Sequence, residues 1–358
     1  MSSTIEQLTE KAILLLQQLI AAPSFSSEED KTAALIEDWF RDQDISFHRS
    51  RNNIYAMNKF FDPAKPSLLL NSHHDTVKPN AAYTKDPFEA VIDDGKLFGL
   101  GSNDAGGCLV SLLALFSFFY AHRELSHNLI IVASAEEESS GPNGLNSVLP
   151  LLPPIEVAIV GEPTQMHLAI AEKGLVVFEG VIKGTPSHAA HPNGNNAIYN
   201  SIEVLSWFRE YSFKKVSETL GETKLTVTQI NAGEQHNVVP AEVNMVIDVR
   251  VNDCYSNQEI ADILIAEAPC ELKARSLRLN SSSIDKNHPL VNAGIQLGRQ
   301  TYGSPTLSDQ AALSCQSLKL GPGDSTRSHS ADEFIYIREI EEGIDLYIEL
   351  LTKFLLNG

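Results

Sequence analysis

Apolar residues follow two kinds of pattern along this chain, and the change falls near Glu172. Up to that point, short unbroken apolar runs, in SLLLN, NLIIVAS and VAIV, alternate with longer stretches of helical period. The spacing predicts helices near 5–21 and 28–42 and from about Asp104 to Tyr120, with strands at Ser67–Asn71, Asn128–Ser134 and Val157–Val160. Strands that are apolar throughout, rather than at alternate positions, are buried on both faces. The fold class implied is α/β, a mostly parallel sheet with helices on both faces. Ligands of such sheets bind beyond the carboxyl ends of the strands.

Past Glu172 the order becomes strand (Gly174–Lys183), helix (Asn196–Tyr211), strand (Lys224–Asn231), strand (Glu242–Val251), helix (Asn257–Ala268) and strand (Glu271–Leu279). This β-α-β-β-α-β order is that of the ferredoxin-like α+β unit. From about residue 283 a helical pattern returns. The expected organisation is a discontinuous catalytic domain, 1–171 and 283–358, with a domain inserted at 172–282 and a hinge at each crossing.

Composition narrows the function without naming it. With 43% hydrophobic and 20% charged residues and no repeat, the whole length should fold. A formal charge of −19 argues against nucleic acid and anionic membranes as partners, since both need a concentrated basic surface. Cys108, Cys254, Cys270 and Cys315 are too scattered for a zinc knuckle or a disulfide framework, which suits a reducing cytoplasm. The N-terminal segment carries Glu6, Glu10 and Lys11 among its apolar residues, unlike a signal peptide. The longest apolar stretch, Leu109–Ala121, is shorter than the roughly 20 residues a bilayer requires. No export or anchoring is expected.

The chemistry lies in acidic residues and histidines placed just after predicted strands or before helices. In NSHHDTV, His73 ends a buried strand; alone it is as well explained as a structural histidine. Asp75, two residues on, could accept its second ring proton and so fix a metal-binding tautomer, leaving His74 to point elsewhere. Asp104, in GLGSNDAGG, reads either as a helix N-cap or as a carboxylate bridging two cations. The run Glu136-Glu137-Glu138 closes a buried strand, where mutual repulsion of three carboxylates calls for cations. Glu162 in VGEPT and His329 in RSHSADE are each unremarkable loop residues that complete a donor count. Together the residues suit two nitrogen/oxygen metal sites with room for water or substrate.

With those five motifs in this order, the chain resembles the co-catalytic zinc hydrolases that include acetylornithine deacetylase, aminoacylase, succinyl-diaminopimelate desuccinylase and carboxypeptidase G. The resemblance covers essentially the whole length. It implies two Zn2+ per chain, with Co2+ or Mn2+ as substitutes: His73, Asp104 and Glu162 hold one, and Asp104, Glu138 and His329 the other. It implies Glu137 as general base and Asp75 as support for His73. The last two glutamates of the triple run are aligned with the family pair, and Ser72 stands where the family has glycine. In the inserted domain, His188 of GTPSHAAHP matches the histidine that reaches a neighbouring subunit's site, which implies a homodimer formed through that domain. Asn237 and Arg250 match substrate contacts; Arg250 is either an α-carboxylate clamp or an ion pair with Asp248 or Asp253. Thr306, Ser308 and Asp309 either line the pocket or serve a turn.

The implied reaction is removal of the acyl group from an Nα-acyl amino acid, with Nα-acetylornithine or acetylcitrulline foremost. Succinyl-diaminopimelate, acyl-lysine or a dipeptide are the alternatives within the family. A non-catalytic metal-binding relative is the alternative outside enzymes, and it should have lost a ligand or the base. A phosphatase would need a cluster of basic residues beside the donor motifs, which carry only Arg327.

Overall fold

Leu68, Leu69 and Leu70 have no exposed surface. The strand they form, Ser67–His73, lies inside a sheet of the computed structural model, which describes residues 2–356. Its neighbours are both parallel: Asn128–Ser134 on one side and Val157–Val160 on the other. Gln316–Lys319 extends the parallel set beyond Val157–Val160. An antiparallel hairpin, Phe47–Ser50 with Asn53–Met57, closes the opposite side by pairing with Asn128–Ser134. The sheet is thus mixed and mostly parallel at its centre.

Side chains alternate across the sheet, so Leu68 and Leu70 enter one apolar cluster and Leu69 another. The larger cluster is built with helices Ser2–Ile20, Asp30–Asp42, Gly107–Phe119 and Ile337–Leu356. The smaller contains Leu145 and Val148 of the short helix Leu145–Val148. Gly107–Phe119 is apolar nearly all round because helices and sheet enclose it. It forms most of Ser102–Phe119, a segment apolar and long enough to span a bilayer and 83% buried here, which its place in the core explains.

Two compact units are present. The first comprises Met1–Ile170, Ser283–Tyr302 and Ser308–Gly358; the second comprises Ala171–Ser282 and Gly303–Leu307. Gly303–Leu307, expected in the catalytic domain, packs with the second unit.

In the second unit the strands are ordered Lys224–Ala232, Glu242–Val251, Gly174–Lys183 and Glu271–Ala274, all antiparallel, which is the ferredoxin-like arrangement. Val243, Met245, Ile247, Val249 and Val251 alternate along one face and are buried with Val204, Phe208, Ile260 and Leu264 of helices Ala197–Glu210 and Asn257–Glu267. Full burial of such aliphatic side chains is worth about 1.5–3 kcal/mol each. Asn196 caps the first helix and a Ser256/Glu259 capping box opens the second, fixing both starts. The last strand ends at Ala274 rather than Leu279; beyond it Asn257 Nδ2 donates to the Leu277 and Leu279 carbonyls, and the Leu279 carbonyl also accepts from Leu175 N.

One further sheet matters to the site. Phe334–Tyr336 pairs with Lys96–Phe98, which pairs with Val91–Asp93. This ties the segment after His329 to a hairpin nearly 240 residues earlier in the chain.

Candidate metal centre

Parallel strands in register end at the same edge of a sheet. Ser134 is the partner of His73, and Asn71 the partner of Val160. The residues that follow, Glu137, Glu138 and Glu162, are therefore delivered to one place with His73. Asp104 comes from the tight turn Ser102–Gly106, opened by Gly101 at φ 76°. Its own φ and ψ are −117° and 99°, so it is extended backbone rather than a helix N-cap, and the helix begins at Gly107. The Asp104–Ala105 peptide is cis. His329 sits in the loop before strand Phe334–Tyr336 at φ 57°.

The side chains converge. His73 Nε2 lies 3.3 Å from Asp104 Oδ1 and 4.0 Å from Glu162 Oε1. His329 Nε2 lies 3.1 Å from Glu138 Oε2 and 3.6 Å from Asp104 Oδ2. Asp104 therefore faces one imidazole with each of its oxygens. Donor atoms of His73, Asp104 and Glu138 all fall within 4.8 Å of one another.

Around this group the support differs in part from expectation. The nearest acceptor to His73 Nδ1 is the Asp75 backbone carbonyl at 3.0 Å, with the carboxylate farther off at 3.5 Å. The Asp75 carboxylate instead accepts from the amides of Glu137 (3.0 Å) and Glu138 (3.1 Å) and from Ser26 Oγ (2.7 Å). It organises the glutamate turn more directly than it does the imidazole. Glu136 is occupied elsewhere, accepting from Ser27 Oγ, Asn143 N and Asn143 Nδ2. That leaves Glu137 and Glu138 as the pair of the triple run whose charges reach the other donors. His74 is fixed between Thr32 Oγ1 and the Asn52 carbonyl, and Ser72 Oγ donates to the Gly161 carbonyl. Glu333 was given no role by the sequence. It is 1% exposed and accepts from the amides of Asn103 and Asp104, partners so distant in the chain that no pattern announces them.

Electrostatics fit cations. Burial pushes the Glu162 carboxyl up to about 8, with the Asp104 charge adding to it. Burial likewise lifts Glu137 well above the carboxylate range, Glu333 to about 8 and Asp309 to about 6. The Glu138 carboxylate raises His329 to about 9. For His73, burial works downward, but Asp104, Asp75 and Glu137 outweigh it and hold the imidazole well above its ordinary value. So many buried carboxylates close together are stable only with protons or cations among them. Imidazole nitrogen and carboxylate oxygen are donors suited to zinc, cobalt or manganese, and no thiol is among these donors.

His188, Asn237 and Arg250 lie in the second unit. His188 is exposed in a two-residue strand paired with Val238–Val239, and the Asn237 carbonyl accepts from Ala189 N at 3.0 Å, so these two loops are joined. The Arg250 guanidinium is paired within its own strand. Its Nε and Nη2 donate to Asp248 at 2.9 and 3.1 Å, because residues two apart on a strand share a face. Ser308 caps a short helical turn through Gln310 N, and Asp309 accepts from Ser134 Oγ at 2.6 Å. Thr306 belongs to the second unit.

The family model for "Peptidase family M20/M25/M40" matches residues 69–353. The chain is 29% identical to acetylornithine deacetylase of Proteus mirabilis, over 96% of this chain and 97% of that one. To succinyl-diaminopimelate desuccinylase of Psychromonas ingrahamii it is 26% identical, over 96% and 98%. Among solved structures, an M20 family metallo-carboxypeptidase, Sso-CP2 of Sulfolobus solfataricus, superposes with a TM-score of 0.76 at 16% identity, covering 95% of this chain and 98% of that one.

Proposed function

Because the chain belongs to peptidase family M20/M25/M40, whose members are metal-dependent amide hydrolases, we propose that it removes the acyl group from an Nα-acyl amino acid, with Nα-acetylornithine as the foremost substrate. The observation that carries this reading is the mutual approach of His73, Asp104 and Glu138 donors within 4.8 Å, with Glu137 partly buried beside them. In it, His73, Asp104 and Glu162 hold one zinc ion and Asp104, Glu138 and His329 the other. Bound there, zinc supplies Lewis acidity, which acidifies water and polarises a carbonyl.

The residues of the chain do the rest. Glu137, whose pKa desolvation raises well above the ordinary carboxylate value, takes a proton from the attacking water and returns it to the departing amine. Asp75 holds the amides of Glu137 and Glu138 and so fixes where both carboxylates point. His188, supplied by a partner subunit, donates to the developing oxyanion, a contribution of about 3–4 kcal/mol where such a donor is well placed. A homodimer through the second unit is supported by Ile198, Tyr199 and Ile202, exposed at 43%, 71% and 64% on one helix, and by the exposed edge strand Lys224–Ala232. A cytoplasmic place in arginine biosynthesis follows if the acetylornithine reading holds.

A second reading is the N-succinyl substrate, favoured by the desuccinylase relative. Both are tested by one panel of Nα-acetyl and Nα-succinyl ornithine, citrulline, lysine and diaminopimelate, with zinc or cobalt and with chelator. Chelator-sensitive release of free amine from acetylornithine supports the proposal. Cleavage confined to a succinyl substrate moves it to the second reading, and no cleavage of any member rejects acyl amino acids.

A further inference from the structure

The short segment that supplies His329 also supplies a carboxylate that touches the backbone of Asp104 rather than any proposed cation. Glu333 Oε1 accepts from the amides of Asn103 and Asp104, each at 2.9 Å, and its own carbonyl accepts from Gly99 N at 2.9 Å. The turn it grips is not regular helix. Asn103 and Asp104 precede the regular helix, which begins at Gly107, so their amides have no helical carbonyl to bond and need another acceptor. The residue before Asp104 is clamped from the other side as well: Asn103 Nδ2 donates to the Asp324 carbonyl and Asn103 Oδ1 accepts from Asp324 N, both at 3.0 Å. Asp332, next to Glu333, accepts from Thr84 N and Lys85 N at 2.9 Å, which anchors the segment itself.

We propose that Glu333 is a positioning residue of the metal centre, holding the Asn103 and Asp104 amides so that Asp104 presents one oxygen toward His73 and the other toward His329. The inference rests on the reading of His73, Asp104, Glu138, Glu162 and His329 as cation donors. Its logic is geometric. A carboxylate placed between two donor groups has its direction set by the backbone that bears it, and that backbone is held by one side chain from the His329 segment. A shift of this segment would move a donor and a brace together.

Cobalt(II) added to the full-length, metal-stripped protein tests this by calorimetry and by its visible absorption band, which reports donor geometry independently of turnover. The expected result for Glu333→Ala is about 10–100-fold weaker cobalt binding, as for other groups that orient metal ligands, with an altered band. Glu333→Gln keeps an oxygen that can accept from the same two amides, and should stay close to the wild type in affinity and band. Should the alanine variant not fold, Glu333→Asp retains the carboxylate but withdraws it by one methylene, and should weaken binding and alter the band in the same sense. Wild-type affinity and band in the alanine or aspartate variant would overturn the positioning role. Equal impairment of the glutamine and alanine variants would overturn it too, since the brace needs only the acceptor oxygen. Wild-type protein that binds no cobalt overturns the cation reading itself and this inference with it, which separates the two failures.

Discussion

His329 Nε2 lies 3.1 Å from Glu138 Oε2 across 191 residues of sequence, and this contact draws the late loop onto the carboxyl edge of the parallel sheet. On the proposed assignment these two residues and Asp104 form one cation site, while the other retains His73 and Glu162. His329→Ala should therefore lower the bound metal from two ions to one per chain without unfolding the protein. Metal analysis of the dialysed variant, with circular dichroism as a check of folding, measures it. Retention of both ions would remove His329 from the donor set.

On the proposed assignment Glu137 is the base and, unlike Glu138, holds no cation. Glu137→Gln keeps its shape and removes the proton acceptor, so kcat on the best substrate of the panel should fall about 10²–10⁴-fold, the range of a lost general base. Both metals should stay bound. The same loss in Glu136→Gln would point to the wrong register, since Glu136 is tied to Ser27 and Asn143.

Protons and cations compete for the cluster, which gives the metal-free protein a pH dependence of definite sign. His329 is raised from 6.5 to about 9 and Glu162 from 4.5 to about 8, so each binds its proton more tightly folded than unfolded. The stability this confers is complete below about 6.5 for His329 and about 4.5 for Glu162, and is lost as pH climbs through the folded values of about 9 and 8. Bound cations take the place of those protons. The Tm difference between zinc-loaded and chelated protein should widen from pH 6.5 to pH 9 in calorimetric scans. A constant difference would mean that these groups are not displaced by metal.

Tyr199 and Ile202 project from the second unit with most of their surface in water. The double change Tyr199→Glu and Ile202→Glu should turn a dimer into a monomer by sedimentation at micromolar concentration, with the unit still folded because neither side chain enters its core. If His188 acts across subunits, a mixture of His188→Ala and Glu137→Gln proteins should recover activity that neither has alone. A dimer that survives the double change lies elsewhere on the surface.

Legibility of the fold followed from how much of an element's burial is written into its own residues. Asn128–Ser134, Val157–Val160, Gly174–Lys183 and Glu242–Val251 have in the structure the bounds their apolar runs announce, because each strand is buried on both faces or on alternate positions. Phe334–Tyr336 and its partners were missed: three residues carry no period, and Phe98 is the partner of Phe334 only through the tertiary fold. In the site, acids and histidines at strand ends were visible as chemistry. Asp75 was visible as a support of His73, but its bonds to the Glu137 and Glu138 amides, and the whole role of Glu333, were not, since backbone amides belong to every residue. For Arg250 the sequence leaves two readings open, and the structure pairs its guanidinium with Asp248, two residues away.

Gln316–Lys319 lies beside Val157–Val160 in the sheet, and His329 comes later still. A ribosome making this chain must therefore release Gln316–Lys319 and His329 before the sheet can be finished and the donors gathered. The second unit, with its strands confined to Gly174–Ala274, can form in the meantime from residues already outside the exit tunnel. On the proposed assignment, capture of both cations then waits until His329 has joined the donors brought by the earlier strands.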